Sequence, residues 1–273
     1  PTMLRLVLVV AALGAITALN IPTTTSTLEA GLGDGVWRTF SLAISGKAPP
    51  VPHTTAQLEE AGWNVQNNGA CDPNLGILYT QDASGPSKDH PLGVYVTSGG
   101  QMAGLKVQIW GESWTSGIGP AGQPALVDAG LWIKEEGDSW VLSVSTRAAS
   151  LMCSGSTASQ TVGDRVVINQ GGANVYLPMT AQEAHAQKWQ PGSCMKTMGQ
   201  HWFLDLKDAP NMSWQADTVL PVVAMYWPPD MTGTLQTIFF TTPVAQKGSY
   251  MMSHADWETP FLPAQLMCDN WCN

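Results

Sequence analysis

Thr54-Thr55-Ala56-Gln57-Leu58-Glu59-Glu60-Ala61-Gly62-Trp63 in the first half of the chain is answered in the second by Thr180-Ala181-Gln182-Glu183-Ala184-His185-Ala186-Gln187-Lys188-Trp189. Each stretch opens on a threonine followed three residues later by Gln57 or Glu183. This is the capping-box pattern, in which the hydroxyl and the N3 side chain satisfy amides left open at a helix start. Each closes on a tryptophan. The spacing predicts short helices over 56–61 and 181–188.

The correspondence extends outward from these two stretches. Pro52, Cys71, Gly76, Asp82, Tyr95, Gly104 and Leu151-Met152-Cys153 in the first half recur in order as Pro178, Cys194, Gly199, Asp205, Tyr226, Gly233 and Leu266-Met267-Cys268. The interval between partners drifts, as loop insertions and deletions would make it. A repeat of this size describes a unit able to bury its own core or half of a shared one. Two homologous modules are expected, 19–160 and 161–273.

Strand patterns surround each helix. Val36 to Ile44 alternates apolar and polar residues, and Arg165 to Ile168 turns through 169–174 into Val175-Tyr176-Leu177. After the helices, strands are predicted over 76–79, 91–96 and 105–110, and over 199–204, 221–226 and 235–240. Gly99-Gly100 and Pro228-Pro229-Asp230 supply hairpin turns. One helix followed by an antiparallel meander makes the fold class α+β, with mainly antiparallel sheets. The stretch 111–130, rich in Gly, Ser and Pro and present only in the first half, reads as a loop.

Compartment follows from the amino terminus. Met3-Leu4-Arg5, an apolar run from Leu6 to Ile16 and the small residue Ala18 have the form of a secretory leader over 1–18. The run is shorter than the roughly 20 residues of a spanning helix. Secretion without membrane insertion is expected. The formal charge of −9 disfavours phosphate backbones, so no nucleic-acid partner is expected. Only 12% of residues are charged, against about a quarter in average soluble domains. Such a composition suits a β-rich secreted protein.

The repeat also orders the five cysteines. Equivalent cysteines in equivalent modules pair equivalently, giving Cys71 with Cys153 and Cys194 with Cys268. Cys272 is left over, to replace Cys268 in the bridge, to remain a free thiol or to link a second chain in a dimer.

Chemistry-bearing motifs are few. His201 and Asp205 lie four residues apart on one predicted strand face, where a carboxylate could orient an imidazole for general-base catalysis. His201 aligns with Leu78 and Asp205 with Asp82, so the aspartate fits a structural turn and the histidine is specific to one copy. Met195, Met198 and His201 are soft ligands that would suit copper. Methionines in such positions more often fill cores, and no close histidine pair suggests zinc, so neither a metal nor a cofactor is expected. No nucleophile elbow, phosphate loop or dinucleotide glycine pattern is present.

The twelve tryptophans are many for a chain of this size. Trp63 and Trp189, following the helices, read as core. Trp114, Trp202, Trp214 and Trp227, with Tyr226, are candidates for stacking on a sugar or a small apolar ligand. Asn211-Met212-Ser213 is a glycosylation acceptor beside Trp214. The chain therefore reads as a secreted ligand-binding or extracellular structural protein with a glycan or small-molecule partner. The alternative is a secreted enzyme acting at His201 and Asp205.

Overall fold

The structure is a computed structural model that describes residues 3–10, 37, 39–43, 51–110, 133–135, 139–157, 162–169, 174–195, 199–204, 222–242 and 270–271. It is mostly antiparallel β-sheet with few short helices, α1 (Thr55–Glu60), α2 (Ala149–Met152) and α3 (Ala181–Ala186).

Both helices foreseen from the threonine caps are present, and their ends show why the segments stop where they do. Thr54 Oγ1 accepts from the Gln57 amide at 3.2 Å, and Thr180 Oγ1 from the Glu183 amide at 3.1 Å. Glu183 reaches back to the Thr180 amide at 3.1 Å, completing a capping box. Gln57 instead reaches one residue further, to the His53 amide at 3.0 Å. At the other end the chain turns left-handed at Gly62 (φ 78°) and at Lys188 (φ 68°). Trp63 and Trp189 then return their amides to Leu58 and Ala184 at 2.9 Å each. That 6→1 bond closes a Schellman cap and drops each indole into the core, where Trp63 is 5% and Trp189 2% exposed.

The first sheet runs β10-β9-β8-β6-β5-β4-β3, with β7 also pairing β8. Its strands are β3 (Asn64–Val65), β4 (Ile77–Thr80), β5 (Leu92–Val96), β6 (Met102–Trp110), β7 (Ile133–Lys134), β8 (Ser139–Ser145), β9 (Val167–Asn169) and β10 (Asn174–Tyr176). The second sheet runs β15-β11-β12-β13-β14-β1-β2. It contains β1 (Met3–Val10), β2 (Thr39–Ala43), β11 (Gln190–Met195), β12 (Gly199–Phe203), β13 (Val222–Trp227), β14 (Thr234–Thr242) and β15 (Asn270–Trp271). The strands that precede each helix join the other sheet: β9 and β10, which precede α3, extend the sheet that follows α1, and β2, which precedes α1, ends the sheet that follows α3. Strand β1 lies within the stretch 1–18 that reads as a leader, and its backbone pairs in parallel with β14 and β2.

The hairpins after the helices match in detail. Tyr95/Val96 and Met225/Tyr226 each mark a break in register against the next strand. A β-carbon at Gly76 (φ 99°) would collide with the Val96 carbonyl, and one at Gly199 (φ 110°) with that of Tyr226, so neither position has room for a side chain. The Gly100 and Gly233 carbonyls receive the amides of Thr55 (3.0 Å) and Ala181 (2.8 Å). Tyr226 thus stands where Val96 does, and Gly233 where Gly100 does.

A single apolar cluster draws on both sheets, from Leu58, Leu92, Val94, Leu105 and Val144 to Trp189, Trp202, Val222, Tyr226 and Ile238. Trp37, fully buried, joins the parts: its amide donates to Gly163, its carbonyl accepts from Val162, and its indole donates to the Leu235 carbonyl at 3.2 Å. Cys71 and Cys153 form a disulfide with a Cα–Cα distance of 5.9 Å, as their places in the repeat lead one to expect. Cys194 is also disulfide-bonded, while Cys268 and Cys272 lie outside the described residues. No helix among the described residues is long and apolar enough to cross a membrane.

Candidate ligand-binding site

Strands β8, β9 and β10 bury one face and leave the other polar. Val144 and Ile168 enter the main core, and Val175 packs against it. On the opposite face Ser145, Val167 and Tyr176 lie in register across the three strands, as do Ser143, Asn169 and Asn174. Period-two alternation carries this face to Arg147 beyond the end of β8 and to Arg165 ahead of β9. The side chains converge on a cavity of about 240 Å³ lined by Asn74, Ser145, Arg147, Arg165, Val167, Asn169, Asn174, Tyr176 and the start of α2.

One wall stands above this face. The turn 72–76 is closed by reciprocal backbone bonds between Asp72 and Gly76 (2.9 and 2.8 Å), and Asp72 Oδ1 accepts from the amides of Asn74 (2.7 Å) and Leu75 (3.1 Å). The Cys71–Cys153 disulfide ties this turn to α2. Beneath them Leu75, Leu78, Tyr95, Ala103 and Met152 form a small apolar cluster separate from the main core. Burial pushes the Tyr95 phenol up to about 12, against the opposing bond from Ser143.

The two arginines are held by backbone as well as by charge. Thr146 accepts the amides of Asp164 (3.0 Å) and Arg165 (3.4 Å) at its carbonyl, and its hydroxyl donates to Val162 at 2.6 Å. Gly163 lies so close against Thr146 that a β-carbon there would meet the Thr146 carbonyl and side chain. This contact sets Arg147 beside the Asp164-Arg165 pair. Arg147 is 6% exposed and its Nε donates to the Met102 carbonyl at 2.6 Å. Desolvation lowers its pKa, and Asp164 opposes the shift. Arg165 grips Asp164 with two bonds, Nε to Oδ1 at 2.9 Å and Nη2 to Oδ2 at 3.0 Å. The described lining offers guanidinium, amide, hydroxyl and phenol groups, but no histidine, carboxylate or cysteine. Such a set can bind oxygen-rich ligands, and it contains no group suited to proton transfer near neutral pH.

The residues singled out from the sequence lie elsewhere. His201 is fully buried on β12, opposite Met225 and stacked with Phe203 at 6.4 Å. Asp205, Trp114, Trp214 and Asn211 fall outside the described residues. Trp202 (3% exposed) and Tyr226 (fully buried) meet edge to face at 5.9 Å within the core, and Tyr226 donates its hydroxyl to the Pro178 carbonyl at 2.7 Å. Burial holds that phenol well above its ordinary pKa. Trp227 is 43% exposed at the end of β13. Of these aromatic side chains, Trp202 and Tyr226 are brought together and Trp227 is presented to solvent.

Asp82 organises its loop. Its carboxylate accepts from the Ser87 hydroxyl and lies 3.1 Å from His90 Nδ1, and Ser87 Oγ accepts the His90 amide at 3.1 Å. These bonds, that to Ser87 foremost, hold the Asp82 carboxyl below its usual range. Among the described residues no group of three or more His, Cys, Asp or Glu side chains is placed to hold a metal ion.

The cavity residues were missed by a motif search because none belongs to a motif. Their trace in the sequence is the alternation Ser143-x-Ser145-x-Arg147 and Arg165-x-Val167-x-Asn169, in which the polar positions mark a sheet face that is not packed into the core. No protein-family model, curated protein or solved structure matches the chain.

Proposed function

We propose that this chain is a secreted binding protein for a hydroxyl-rich, glycan-like ligand, taken up on the outer face of β8, β9 and β10. The observation that carries this reading is the concentration of donors and acceptors around one concave site, without an accessible acid or base among the lining residues. Sugars present many hydroxyls in fixed directions, and paired amides such as Asn169 and Asn174 match them. Tyr176 adds a ring against which the apolar face of a sugar can lie. Binding takes precedence over catalysis at His201 because that imidazole is buried.

Two duplicated modules make the scaffold in this reading. Their support is the paired detail already described: threonine caps, left-handed residues before a returning tryptophan, a bulge in the same place and glycines pressed on matching carbonyls. The leader over 1–18 and the disulfides fit an oxidising compartment.

Titration of the purified protein with a panel of neutral and acidic mono- and oligosaccharides tests the function, followed by amide and tyrosine chemical shifts. Saturable binding that Asn174→Ala and Tyr176→Ala each weaken several-fold is the expected result. An absence of saturable binding across the panel would overturn it. Secretion is read separately, from the amino-terminal sequence of protein exported by a eukaryotic host. A start near residue 19 is expected, and retention of residues 1–18 on exported protein would remove the leader.

A further inference from the structure

We infer that the flank of β14 occupied by β1 is an acceptor site for an extended, Val- and Leu-rich segment of a partner polypeptide, which adds a strand to the second sheet of the exported protein. The inference rests on the reading of residues 1–18 as a leader that is removed, and it goes beyond the sugar site. Strand β1 lies inside that stretch, yet it sits within the second sheet, between β14 and β2. It runs parallel to both, with Arg5 to Val10 in register on Thr237 to Thr242 and Met3 to Val7 on Thr39 to Ala43. Removal of the leader therefore takes out an inner strand and turns β14 into an edge.

An edge at this position is unfavourable. Strand β14 is nine residues long and pairs with β13 on its other side. Every residue of β13 from Val222 to Tyr226 is buried, and on β14 the neighbours Thr237 and Ile238 are 1% and 2% exposed. Adjacent strand residues point to opposite faces, so both faces of this part of the sheet are covered. Backbone amides and carbonyls left without partners there destabilise the fold, and an unpaired strand edge is a template for another chain. What the place accepts is shown by β1. Leu6-Val7-Leu8-Val9-Val10 is apolar without a break, as a parallel strand covered on both faces requires, and its valines favour the extended backbone. A parallel neighbour is not joined to β14 by a hairpin, so a separate polypeptide can supply it by strand addition, with main-chain bonds giving the affinity.

Titration of the exported protein, its first residue determined by amino-terminal sequencing, with a fluorescent synthetic peptide of residues 3–12 tests the acceptor site. Saturable binding at a single site is expected, with hydrogen exchange of the β14 amides slowed by the peptide. Proline cannot donate to a ladder, and neighbouring residues of an inner strand donate to opposite sides. A Leu6→Pro/Val7→Pro peptide should therefore bind at least about tenfold more weakly. No saturable binding by a chain that starts near residue 19 overturns the inference. Protection of the β14 amides before any peptide is added overturns it too, since β2 or a second copy would then close the edge. Equal binding of the proline peptide does the same, because apolar adhesion without strand pairing would account for it. Exported protein that keeps residues 1–18 removes the leader and this inference with it, and leaves the sugar site standing.

Discussion

The indole Nε1 of Trp37 donates a hydrogen bond to the backbone carbonyl of Leu235, 198 positions further along the chain, at 3.2 Å and in the fully buried core. Trp37 is held by Gly163 and Val162 through its own backbone, so this one residue links the strand leading into β9 with the hairpin of the second sheet. Trp37→Phe keeps most of the apolar volume and strands the Leu235 carbonyl. The loss should be about 1–3 kcal/mol, read by chemical denaturation. Because both sheets feed one apolar cluster, the variant should still unfold in a single transition, with tryptophan fluorescence and far-UV circular dichroism coinciding. Two separated transitions would show the halves to be independent cores.

Lys188 occupies a left-handed conformation that Gly62 fills in the first half. A side chain there costs about 1–2 kcal/mol that glycine does not incur. Lys188 is exposed, so little packing is at stake. Lys188→Gly should therefore raise the melting temperature by a few degrees. Gly62→Lys should lower it by a comparable amount, and an unchanged Tm in both would show the cap to be unimportant.

The Cys71–Cys153 bond spans 82 residues, and loop-entropy arithmetic for that span gives roughly 4 to 5 kcal/mol. It also clamps the turn bearing Asn74 to α2, both of which line the cavity. A Cys71→Ser/Cys153→Ser variant should lose stability and, while still folded, bind the sugar ligand more weakly than the parent. Binding unchanged in the folded double variant would show that the clamp serves stability alone.

Asp82 gives a pH signature whose sign follows from its lowered pKa. A carboxyl depressed in the folded state adds stability above its unfolded pKa of about 3.9, and that stability is lost as pH falls through the folded value. With Asp82 about one third exposed, solvent screening keeps the effect small. Ser87→Ala removes the largest cause of the shift and should weaken this contribution. In acid titrations followed by circular dichroism, Asp82→Asn should be less stable than the parent at pH 6, with the gap closing below pH 4. A gap independent of pH would mean that the loop bonds do not depend on the ionised carboxylate.

What the amino-acid order determined by itself was local or repeated. Thr54 with Gln57 and Thr180 with Glu183 announce helix starts because a cap needs only residues within one turn, and the Cys71–Cys153 pairing was expected from the matching order of cysteines in the two halves of the sequence. Alternation located most of the strands after the helices, though β8 went unread between the loop 111–130 and Cys153. Tertiary structure decided the rest. A bulge is invisible until two strands pair, so the breaks at Tyr95/Val96 and Met225/Tyr226 emerged only from register. Recruitment of β9 and β10 into the first sheet brought Arg165, Asn169 and Asn174 beside Arg147, residues ordinary in their own segments. A binding site of this kind is made by strands that meet across distance, and hydrogen-bonded pairing between strands, not any spacing along the chain, sets which side chains share a face.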